Sequence, residues 1–519
     1  MPDDATQGRT SDVDTVEGHW DEVIVGAGSA GATLAGRLSE DPGRRVLLLE
    51  AGPDGRVAGS PDNPVLSGAN WDHSAYVDRQ GGDGRRYPYA VGRAVGGSSA
   101  VNGALALRGL ASDFDAWAAA GNPDWAWEKV LPYFVRLEAD ADFKGPGHGN
   151  EGPVPVRRLS EDAYGPLSHG FLAACRDLGV PAVADLNDPG CTAGAGPIPR
   201  NESGGRRVST AEAYLAPARG RPSLTVAADC QVTRVLLDGD TAVGVEAVRD
   251  GRTLRIGADR VTLSAGAIGT PALLLRSGVG PAGDLGRLGI RPVADLPGVG
   301  ANLVEHPLVA LWALPAEGAV RAGEAMHQVL ARVAGPDGAP KLNLTLVNSI
   351  TGLDVPGMAG VLRGRTAFSL HASLLSPRSR GRVTLGAPDG PPVIELGLAS
   401  DPRDVERLMA GVRMLWSAVS GEHLAPLTER LFLWTDRTVR DDALLRGAVT
   451  RFVCPSWHPA GTAAMGPASR REAVVDERLR VHGLRGLRVV DASVMPTVPA
   501  APVNLSAIML GERAASWSR

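Results

Sequence analysis

The sequence predicts an α/β fold with two parts: a domain built on a parallel sheet from separate segments of the chain, and an inserted block with a sheet of its own. Three observations predict this fold. A short β-branched strand passes through a glycine turn into a helix at residues 22–38. Two further segments, residues 260–278 and 487–515, also run from a predicted strand into a predicted helix. Between them, residues 306–451 combine alternating strand-like runs with one amphipathic helix.

Length and composition fit a large globular protein. The chain has 519 residues, of which 44% are hydrophobic, enough for a sizeable core. The formal net charge of −5 argues against an electrostatic nucleic-acid binder. Lysine is scarce beside arginine, a skew typical of GC-rich bacterial genomes. No lysine lies in a phosphate-loop pattern, which weighs against Walker-type nucleotide hydrolysis.

The spacing of the cysteines and the composition of the two terminal segments suggest the cellular compartment of the protein. The four cysteines are widely spaced, which predicts neither a disulfide framework nor a zinc or iron–sulfur site, so no metal is expected. They suit a reducing cytoplasm, and we expect a cytoplasmic protein. Residues 1–20 are polar and acidic, so we expect a disordered N-terminus rather than a secretory signal. The uncharged stretch at residues 492–511 contains three prolines, which favours buried structure over a membrane span.

The first strand, turn and helix carry the strongest local signal. Residues 22–25 lead into Gly26, Gly28 and Gly31, which form the pattern G-x-G-x-x-G. Gly26 permits the tight turn, Gly28 lets the backbone approach a pyrophosphate, and Gly31 lets helix and strand pack closely. The helix N-terminus supplies free N–H donors for phosphates. Glu50, at the end of the next strand, is placed to accept hydrogen bonds from a ribose.

This motif predicts a dinucleotide site of the Rossmann type. A lone glycine motif is weak in a glycine-rich chain, but the flanking strand, helix and acid strengthen it. The motif leaves open whether NAD or FAD is bound. A second glycine cluster spans residues 92–103, and a strand at residues 260–265 enters Gly266 before a helix over residues 271–276.

Other elements surround these motifs. The strands are predicted at residues 232–237, 242–248, 341–347, 367–375, 381–385 and 487–490. An amphipathic helix follows Asp401 and Pro402, and a final helix begins at about Val503. We expect the inserted block to cap a cofactor held by the first domain.

His458 is the strongest candidate for proton transfer. Proline and glycines surround it in residues 456–466 and restrict the backbone around one titratable side chain. Histidine is a natural proton acceptor at neutral pH. Asn504 follows after the strand that ends at Asp491. From spacing alone the favoured interpretation of Asn504 is a helix N-cap.

Four segments together resemble the glucose–methanol–choline (GMC) family of FAD-dependent oxidoreductases, over about residues 20–515. They are Gly26–Gly31 with Glu50, Ala51 and Gly52; Gly92–Asn102; Gly266–Gly280; and His458–Gly466 with Asn504. The resemblance implies a Rossmann-like FAD-binding domain with an inserted antiparallel-sheet substrate-binding cap. We expect the FAD-binding domain at residues 21–160, 200–305 and 452–519, and the substrate-binding domain at 161–199 and 306–451.

The resemblance implies FAD rather than NAD, with contacts from every segment. The implied cofactor-binding residues are Gly26, Gly28, Ser29, Ala30, Gly31, Glu50, Ala51, Arg93, Val95, Gly97, Ser98, Asn102, Gly103, Val232, Ala265, Gly266, Asp491, Ala492, Pro502 and Val503. Some members attach FAD through a histidine at the position where this chain has Val101. We therefore expect non-covalent FAD.

The resemblance also implies a reaction, the oxidation of an alcohol to an aldehyde or ketone. His458 takes the hydroxyl proton, Asn504 orients the developing alkoxide, and hydride passes to flavin N5. The expected substrate is a compact aliphatic or aromatic alcohol, with walls from the inserted block and the loops around Trp71. The electron acceptor is oxygen, or a quinone or redox protein. Three alternatives stay open: an FAD-containing lyase or decarboxylase, a flavin carrier without turnover, and an NAD-dependent dehydrogenase.

Overall fold

The computed structural model describes residues 16–55, 70–78, 84–335, 340–351 and 359–518. Its central element is a five-stranded, all-parallel sheet, which confirms the predicted α/β fold. Four of the strands are completely buried and mostly apolar, as a parallel sheet covered on both faces requires. In sheet order the strands are Leu224–Ala227, Val46–Leu49, Glu22–Val25, Val261–Leu263 and Leu487–Val489. The sheet thus joins the first, middle and last parts of the chain.

Two helices from opposite ends of the chain pack against each other beside this sheet. They are Ser29–Leu38 and Asn504–Ser516. Gly511 permits their close approach, because a Cβ there would lie 2.6 Å from the carbonyl oxygen of Ala30. This contact brings the N-terminus of the first helix, which follows the glycine turn, close to Asn504.

A second, four-stranded sheet contains the predicted hairpin. The hairpin is observed as Cys230–Asp238 paired with Thr241–Arg249, and Arg252–Ala258 continues the sheet. At its edge lies a short strand, His19–Trp20, and Val16 before it is buried. The expectation of disorder through residue 20 is therefore wrong for residues 16–20, because Val16 and Trp20 bury apolar side chains against the core. Residues 1–15 lie outside the described residues.

The inserted block is built on an antiparallel sheet, as expected. Its strands in order are Thr428–Leu431, Pro307–Pro315, Ala367–Leu374, Pro340–Ile350, Val329–Ala334 and Gly194–Pro197, with Cys454–Pro455 pairing with Pro307–Pro315. The predicted amphipathic helix is Pro402–Ser420, and Asp401 caps it by accepting the N–H of Arg403. Its apolar face packs on this sheet.

A further four-stranded sheet crosses the expected domain boundary. Its strands in order are Arg382–Leu385, Pro392–Glu395, Asn70–Asp78 and Arg85–Gly92. The last two come from the segment assigned to the FAD-binding domain, and the first two from the inserted block. Besides Gly266–Arg276, the remaining α-helices of at least five described residues are Ala111–Ala119, Trp127–Leu137, Pro166–Asp177, Ala282–Arg287, Asp436–Arg440 and Asp442–Phe452, and Ala211–Leu215 is a π-helix. The domain boundaries themselves stay a prediction.

The helix expected at residues 271–276 begins five residues earlier, as Gly266–Arg276. Pro271 therefore lies inside the helix, where it cannot donate to the carbonyl of Ala267. The hydroxyl of Thr462 donates to that carbonyl instead, at 2.7 Å. The side chain of Thr462, in the segment after His458, thus replaces the hydrogen bond that Pro271 cannot donate. The same bond links that segment to the helix Gly266–Arg276.

Two other observations concern the whole described chain. Over residues 16–518, apart from the gaps given above, no helix has the length and apolar character needed to cross a bilayer. All four cysteines are free thiols.

Candidate active site

The glycine turn packs tightly against its surroundings and leaves space where a ligand would lie. Gly26 has φ of +101°, a conformation that favours glycine. A Cβ at Gly31 would lie 2.0 Å from the carbonyl oxygen of Gly26. A Cβ at Gly28 would meet nothing nearer than Gly97 Cα, at 3.9 Å. Gly31 therefore serves packing, whereas the backbone at Gly28 borders open space.

The second glycine cluster lies directly against the first. Gly97 has φ of +51°, and a Cβ there would lie 2.6 Å from Gly28 Cα. The amide of Gly96 donates to the carbonyl of Ala27 at 2.8 Å. Two loops that lie about seventy residues apart in the sequence thus form one glycine-lined surface at the N-terminus of helix Ser29–Leu38.

Glu50 is a buried carboxylate at the end of its strand. Its Oε2 accepts the N–H of Ala27 and its Oε1 accepts the N–H of Gly52, both at 2.9 Å. Burial raises the pKa of Glu50, and the two N–H donors partly oppose that shift. Each oxygen can accept a further hydrogen bond, so Glu50 can still bind ribose hydroxyls.

Asp491 connects the last strand to the helix Gly266–Arg276. Its Oδ2 accepts the N–H of Gly266 at 2.9 Å and the hydroxyl of Thr270 at 2.6 Å. Its Oδ1 accepts the N–H of Ser493 at 2.8 Å. Burial raises the pKa of Asp491. The carboxylate holds together the loops that border the centre of the cavity described next.

One cavity of about 1670 Å³ joins these segments to the inserted block. Seventeen of the twenty predicted cofactor residues line it: Gly26, Gly28, Ser29, Ala30, Glu50, Ala51, Gly97, Ser98, Asn102, Gly103, Val232, Ala265, Gly266, Asp491, Ala492, Pro502 and Val503. The volume exceeds that of an ordinary small-molecule site. With the glycine surface and the buried carboxylate of Glu50, it fits a dinucleotide together with a second, smaller molecule.

Three of the predicted cofactor residues are not on the cavity wall. Gly31 packs inside the glycine turn, and Val95 is buried in the core. The guanidinium of Arg93 stacks over the ring of Trp71, 4.6 Å from its centroid. Direct cofactor contact by these three residues stays a prediction.

His458 lies on the wall of the same cavity and contacts a second histidine. Its Nδ1 is 3.0 Å from Nδ1 of His306, with the two rings nearly perpendicular. Its backbone N–H donates to the two carboxylate oxygens of Glu305, at 2.8 and 3.0 Å. Trp457 precedes it with φ of +59°, a strained conformation typical of functional loops. Glu305 thus holds the backbone of His458, and His306 contacts its ring.

Burial controls the charges of this group. It raises the pKa of Glu305 to about 7, although the hydroxyl of Tyr89 and the amide of His458 donate to the carboxylate. It lowers the pKa of His306 to about 4. Burial, and then the nearby His306, lower the pKa of His458 well below its ordinary value. Both imidazoles are therefore neutral at neutral pH, and a neutral His458 can accept a proton.

Asn504 lines the cavity, but it is not a helix N-cap. The helix is Asn504–Ser516, and Val503 occupies the N-cap position without a side-chain hydrogen bond. Oδ1 of Asn504 accepts the hydroxyl of Ser29 at 2.7 Å. Its Nδ2 is buried and has no partner among the described residues. The N-cap interpretation is wrong, because Oδ1 accepts from Ser29 rather than from an amide of its own helix, and Nδ2 is left as a donor for a ligand.

Glu305, His306 and Tyr89 were not among the predicted site residues. The expected domain boundary even falls between Glu305 and His306. The available signal was an adjacent acid and histidine, followed by Pro307, before an uncharged strand. That pattern is too common to indicate a site without the contact to His458.

A separate buried cluster contains residue types that bind metals. Glu138, Asp140 and His148 bring ligand-type atoms within 4.8 Å of one another. Arg108 pairs with Glu138, and Arg158 pairs with Asp140 at 2.9 Å. The two guanidinium groups pair with these carboxylates in an ion-pair network. The expectation that the protein contains no metal stays a prediction.

Known proteins share both the sequence and the fold. Family models of the GMC oxidoreductases match residues 20–308 and 377–511. The chain is 36% identical to 5-(hydroxymethyl)furfural oxidase of Methylovorus sp. (strain MP688), over 96% of this chain and 98% of the relative. It is 33% identical to glucose dehydrogenase [FAD, quinone] of Drosophila pseudoobscura pseudoobscura, over 96% of this chain and 86% of the relative. The crystal structure of pyridoxine 4-oxidase from Mesorbium loti superposes with a TM-score of 0.87 at 32% identity, covering 96% and 99% of the two chains.

The relatives cover 96% of the chain, and the two family models include the glycine turn and the segments of His458 and Asn504. The observed fold agrees with that of the solved relative. The chain therefore belongs to the GMC oxidoreductase family, the FAD-dependent enzymes that act on the CH–OH group of donors.

Proposed function

We propose that the protein oxidises a small alcohol to an aldehyde or ketone, with His458 as the general base. The observation that carries this proposal is that His458 and Asn504 line the same cavity as the dinucleotide-binding residues. A neutral imidazole and an unpartnered amide donor thus border the cofactor site. A carrier without turnover has no need of such a pair.

His458 and Asn504 have different roles in the oxidation of the alcohol. His458 accepts the hydroxyl proton, a contribution of about 10²–10⁴-fold in rate for a positioned base. Nδ2 of Asn504 donates to the oxygen as negative charge develops there, for about a further 10²–10³-fold. FAD, when bound, would supply the acceptor for the hydride that leaves the carbinol carbon. The many apolar residues of the cavity wall lower the local dielectric constant, which strengthens both interactions.

We propose that FAD is bound without a covalent link. The glycine surface, Glu50 and Asp491 would hold it through backbone donors and carboxylates. At the position where some members carry the linking histidine, Val101 offers no atom that could bond to the flavin. Acid precipitation should then release all of the flavin into the supernatant. With four free thiols, a reducing cytoplasm is the compartment we propose.

The inserted sheet supplies the far wall of the cavity. On its cavity face, Thr345 lies opposite His371 and Asn343 lies opposite Ser373. Trp312 and other apolar residues complete the wall. Oδ1 of Asn343 is buried and has no partner among the described residues. We propose a compact alcohol whose body packs on the apolar part and whose second polar group donates to Asn343.

An anaerobic screen of alcohols tests the proposal. The flavin-loaded enzyme is mixed with compact aliphatic and aromatic alcohols, and loss of the visible flavin absorbance is followed in a stopped-flow instrument. We expect a good substrate to bleach the flavin. Readmission of oxygen then separates an oxidase, which recovers its colour at once, from a dehydrogenase, which needs a quinone or a redox protein.

Two variants sharpen the test. His458→Ala should keep FAD bound and slow flavin reduction by about 10²–10⁴-fold. His423→Ala, at the surface beside Asp177, is the matched control and should reduce at the parent rate. Reduction of His458→Ala at the parent rate would refute the assignment of the base. Product formation without bleaching would instead identify a lyase or decarboxylase.

A further inference from the structure

The contact between His306 and His458 constrains where the protons of both rings lie. The two Nδ1 atoms are 3.0 Å apart, a hydrogen-bond distance. A neutral imidazole carries one proton, on either Nδ1 or Nε2. A hydrogen bond between the two Nδ1 atoms needs a proton on one of them and a lone pair on the other. The tautomers of the two rings are therefore coupled, and only two arrangements are allowed.

The surroundings of His306 favour one of these arrangements. The ring is buried, with 2% of the residue exposed, and its Nε2 has no hydrogen-bond partner of good geometry among the described residues. The backbones of Leu375 and Pro499 border the ring and act as acceptors that favour a proton on it. Because Nδ1 of His306 already contacts His458, Nε2 is the nitrogen left to carry a proton toward these backbone acceptors, and Nδ1 then holds the lone pair.

We propose that His306 is a positioning residue that fixes the tautomer of His458. The unprotonated Nδ1 of His306 accepts the Nδ1–H of His458, so Nε2 of His458 carries the lone pair available to a ligand in the cavity. The tautomer itself does not depend on the proposed function, but its consequence for catalysis rests on alcohol oxidation.

This arrangement matters because the other tautomer cannot act as the base. A proton on Nε2 of His458 would face the hydroxyl proton that has to be removed. With the lone pair on Nε2, the alcohol proton bonds to Nε2 and the electron pair of the O–H bond stays on oxygen. His458 becomes an imidazolium whose Nδ1–H still donates to neutral His306. The proton later leaves Nε2 for solvent, which restores the starting state.

Nitrogen NMR of histidine-labelled protein reads the tautomer directly. In the flavin-loaded enzyme without substrate, we expect Nδ1 of His458 to show a protonated, pyrrole-type shift and Nε2 a pyridine-type shift. Loss of the signals in His458→Ala assigns them. The reverse pattern in the parent enzyme would overturn the proposal, whatever any variant does.

Two substitutions at His306 separate positioning from general packing. His306→Leu fills the space but removes the acceptor, and the signals of His458 should move toward the Nε2–H tautomer that free histidine side chains prefer in water. His306→Asn places an amide oxygen near the position of Nδ1 and should retain the parent pattern. An unchanged tautomer in a folded, flavin-loaded His306→Leu would contradict the proposal.

Flavin reduction by a good alcohol gives the second measurement. His306→Leu should lower the reduction rate by about 10²-fold with little change in the apparent substrate dissociation constant, because a misplaced base slows the reaction without weakening binding. His306→Asn should recover most of the rate. If no alcohol bleaches the parent flavin while the expected tautomer is present, the proposed function fails and the tautomer assignment stands. If alcohols bleach the flavin and His306→Leu is as fast as the parent, the positioning role fails.

Discussion

The hydroxyl of Ser29 donates a hydrogen bond of 2.7 Å to Oδ1 of Asn504, a residue 475 positions further along the chain. Ser29 is the first residue of the helix after the glycine turn, and Asn504 is the first residue of the last helix. The bond orients the amide, because accepting at Oδ1 leaves the two N–H donors of Nδ2 for another partner. The packing of the two helices is thereby linked to the orientation of a candidate catalytic group.

Removing this hydroxyl should release the amide. In Ser29→Ala we expect FAD to remain bound and flavin reduction by alcohol to fall by about 10-fold, less than for loss of the donor itself. The measurement is stopped-flow reduction under anaerobic conditions. Ser506→Ala is the matched control. Ser506 lies on the same helix as Asn504, and its buried hydroxyl has no partner among the described residues. Equal rates in the two variants would show that Ser29 does not orient Asn504.

Asn343 should affect selectivity rather than the chemical step. Asn343→Leu removes a buried acceptor, so an alcohol with a second hydroxyl should lose about 3–10-fold in kcat/KM, the value of one ordinary hydrogen bond. The alcohol of the same carbon skeleton with a single hydroxyl serves as the control and should be unaffected. The two substrates are compared in steady-state assays of both enzymes. The same loss with both substrates would contradict a specific contact.

Glu305 should make stability depend on pH. Its pKa is raised to about 7 in the folded enzyme, so the folded state binds the proton more tightly than the unfolded state. The resulting stabilisation is present at about pH 4 and is lost as the pH rises through about 7. The loss amounts to roughly 3 kcal/mol, since one pKa unit corresponds to about 1.4 kcal/mol.

Glu305→Gln should flatten that part of the pH profile. Urea unfolding of the flavin-loaded enzyme, measured from about pH 5 to about pH 8, should show a smaller loss of unfolding free energy in the variant than in the parent. Glu422→Gln, at the surface, should keep the parent profile. Parallel profiles for Glu305→Gln and the parent would contradict the raised pKa.

Gly31 should tolerate no side chain. The Cβ in Gly31→Ala would meet the carbonyl oxygen of Gly26 at 2.0 Å and the Cβ of Ser264 at 2.9 Å, so the glycine turn has to move. We expect a destabilisation of about 1–3 kcal/mol and a lower FAD content after purification. Gly220→Ala is the control, because a Cβ there meets nothing within 4 Å. Full FAD occupancy and parent stability in Gly31→Ala would disprove the close packing.

Thr462 and Pro271 should show energetic coupling. Thr462→Val leaves the carbonyl of Ala267 without its 2.7 Å donor, which should cost about 1–3 kcal/mol of unfolding free energy. In a Pro271→Ala background the restored N–H at position 271 can bond to that carbonyl, so the same substitution should cost less. Urea unfolding of the parent, both single variants and the double variant measures the difference. Additive effects would argue against the compensation.

The sequence by itself determined the elements whose signals are local. The glycine turn and Glu50 follow from spacing within some thirty residues, because strand, turn and helix each depend on near neighbours. His458 was recognisable because proline and glycine surround it. The family resemblance combined these segments into one site, and seventeen of the twenty expected cofactor residues do border the cavity.

Only the tertiary structure decided how the site is supported. Ser29 and Asn504, and His306 and His458, lie 475 and 152 positions apart, and hydrogen bonds between such distant residues leave no periodic pattern in the sequence. The N-cap interpretation of Asn504 was wrong for the same reason. A local preference placed an asparagine at the helix start, but packing of the first helix against the last oriented its amide toward the cavity.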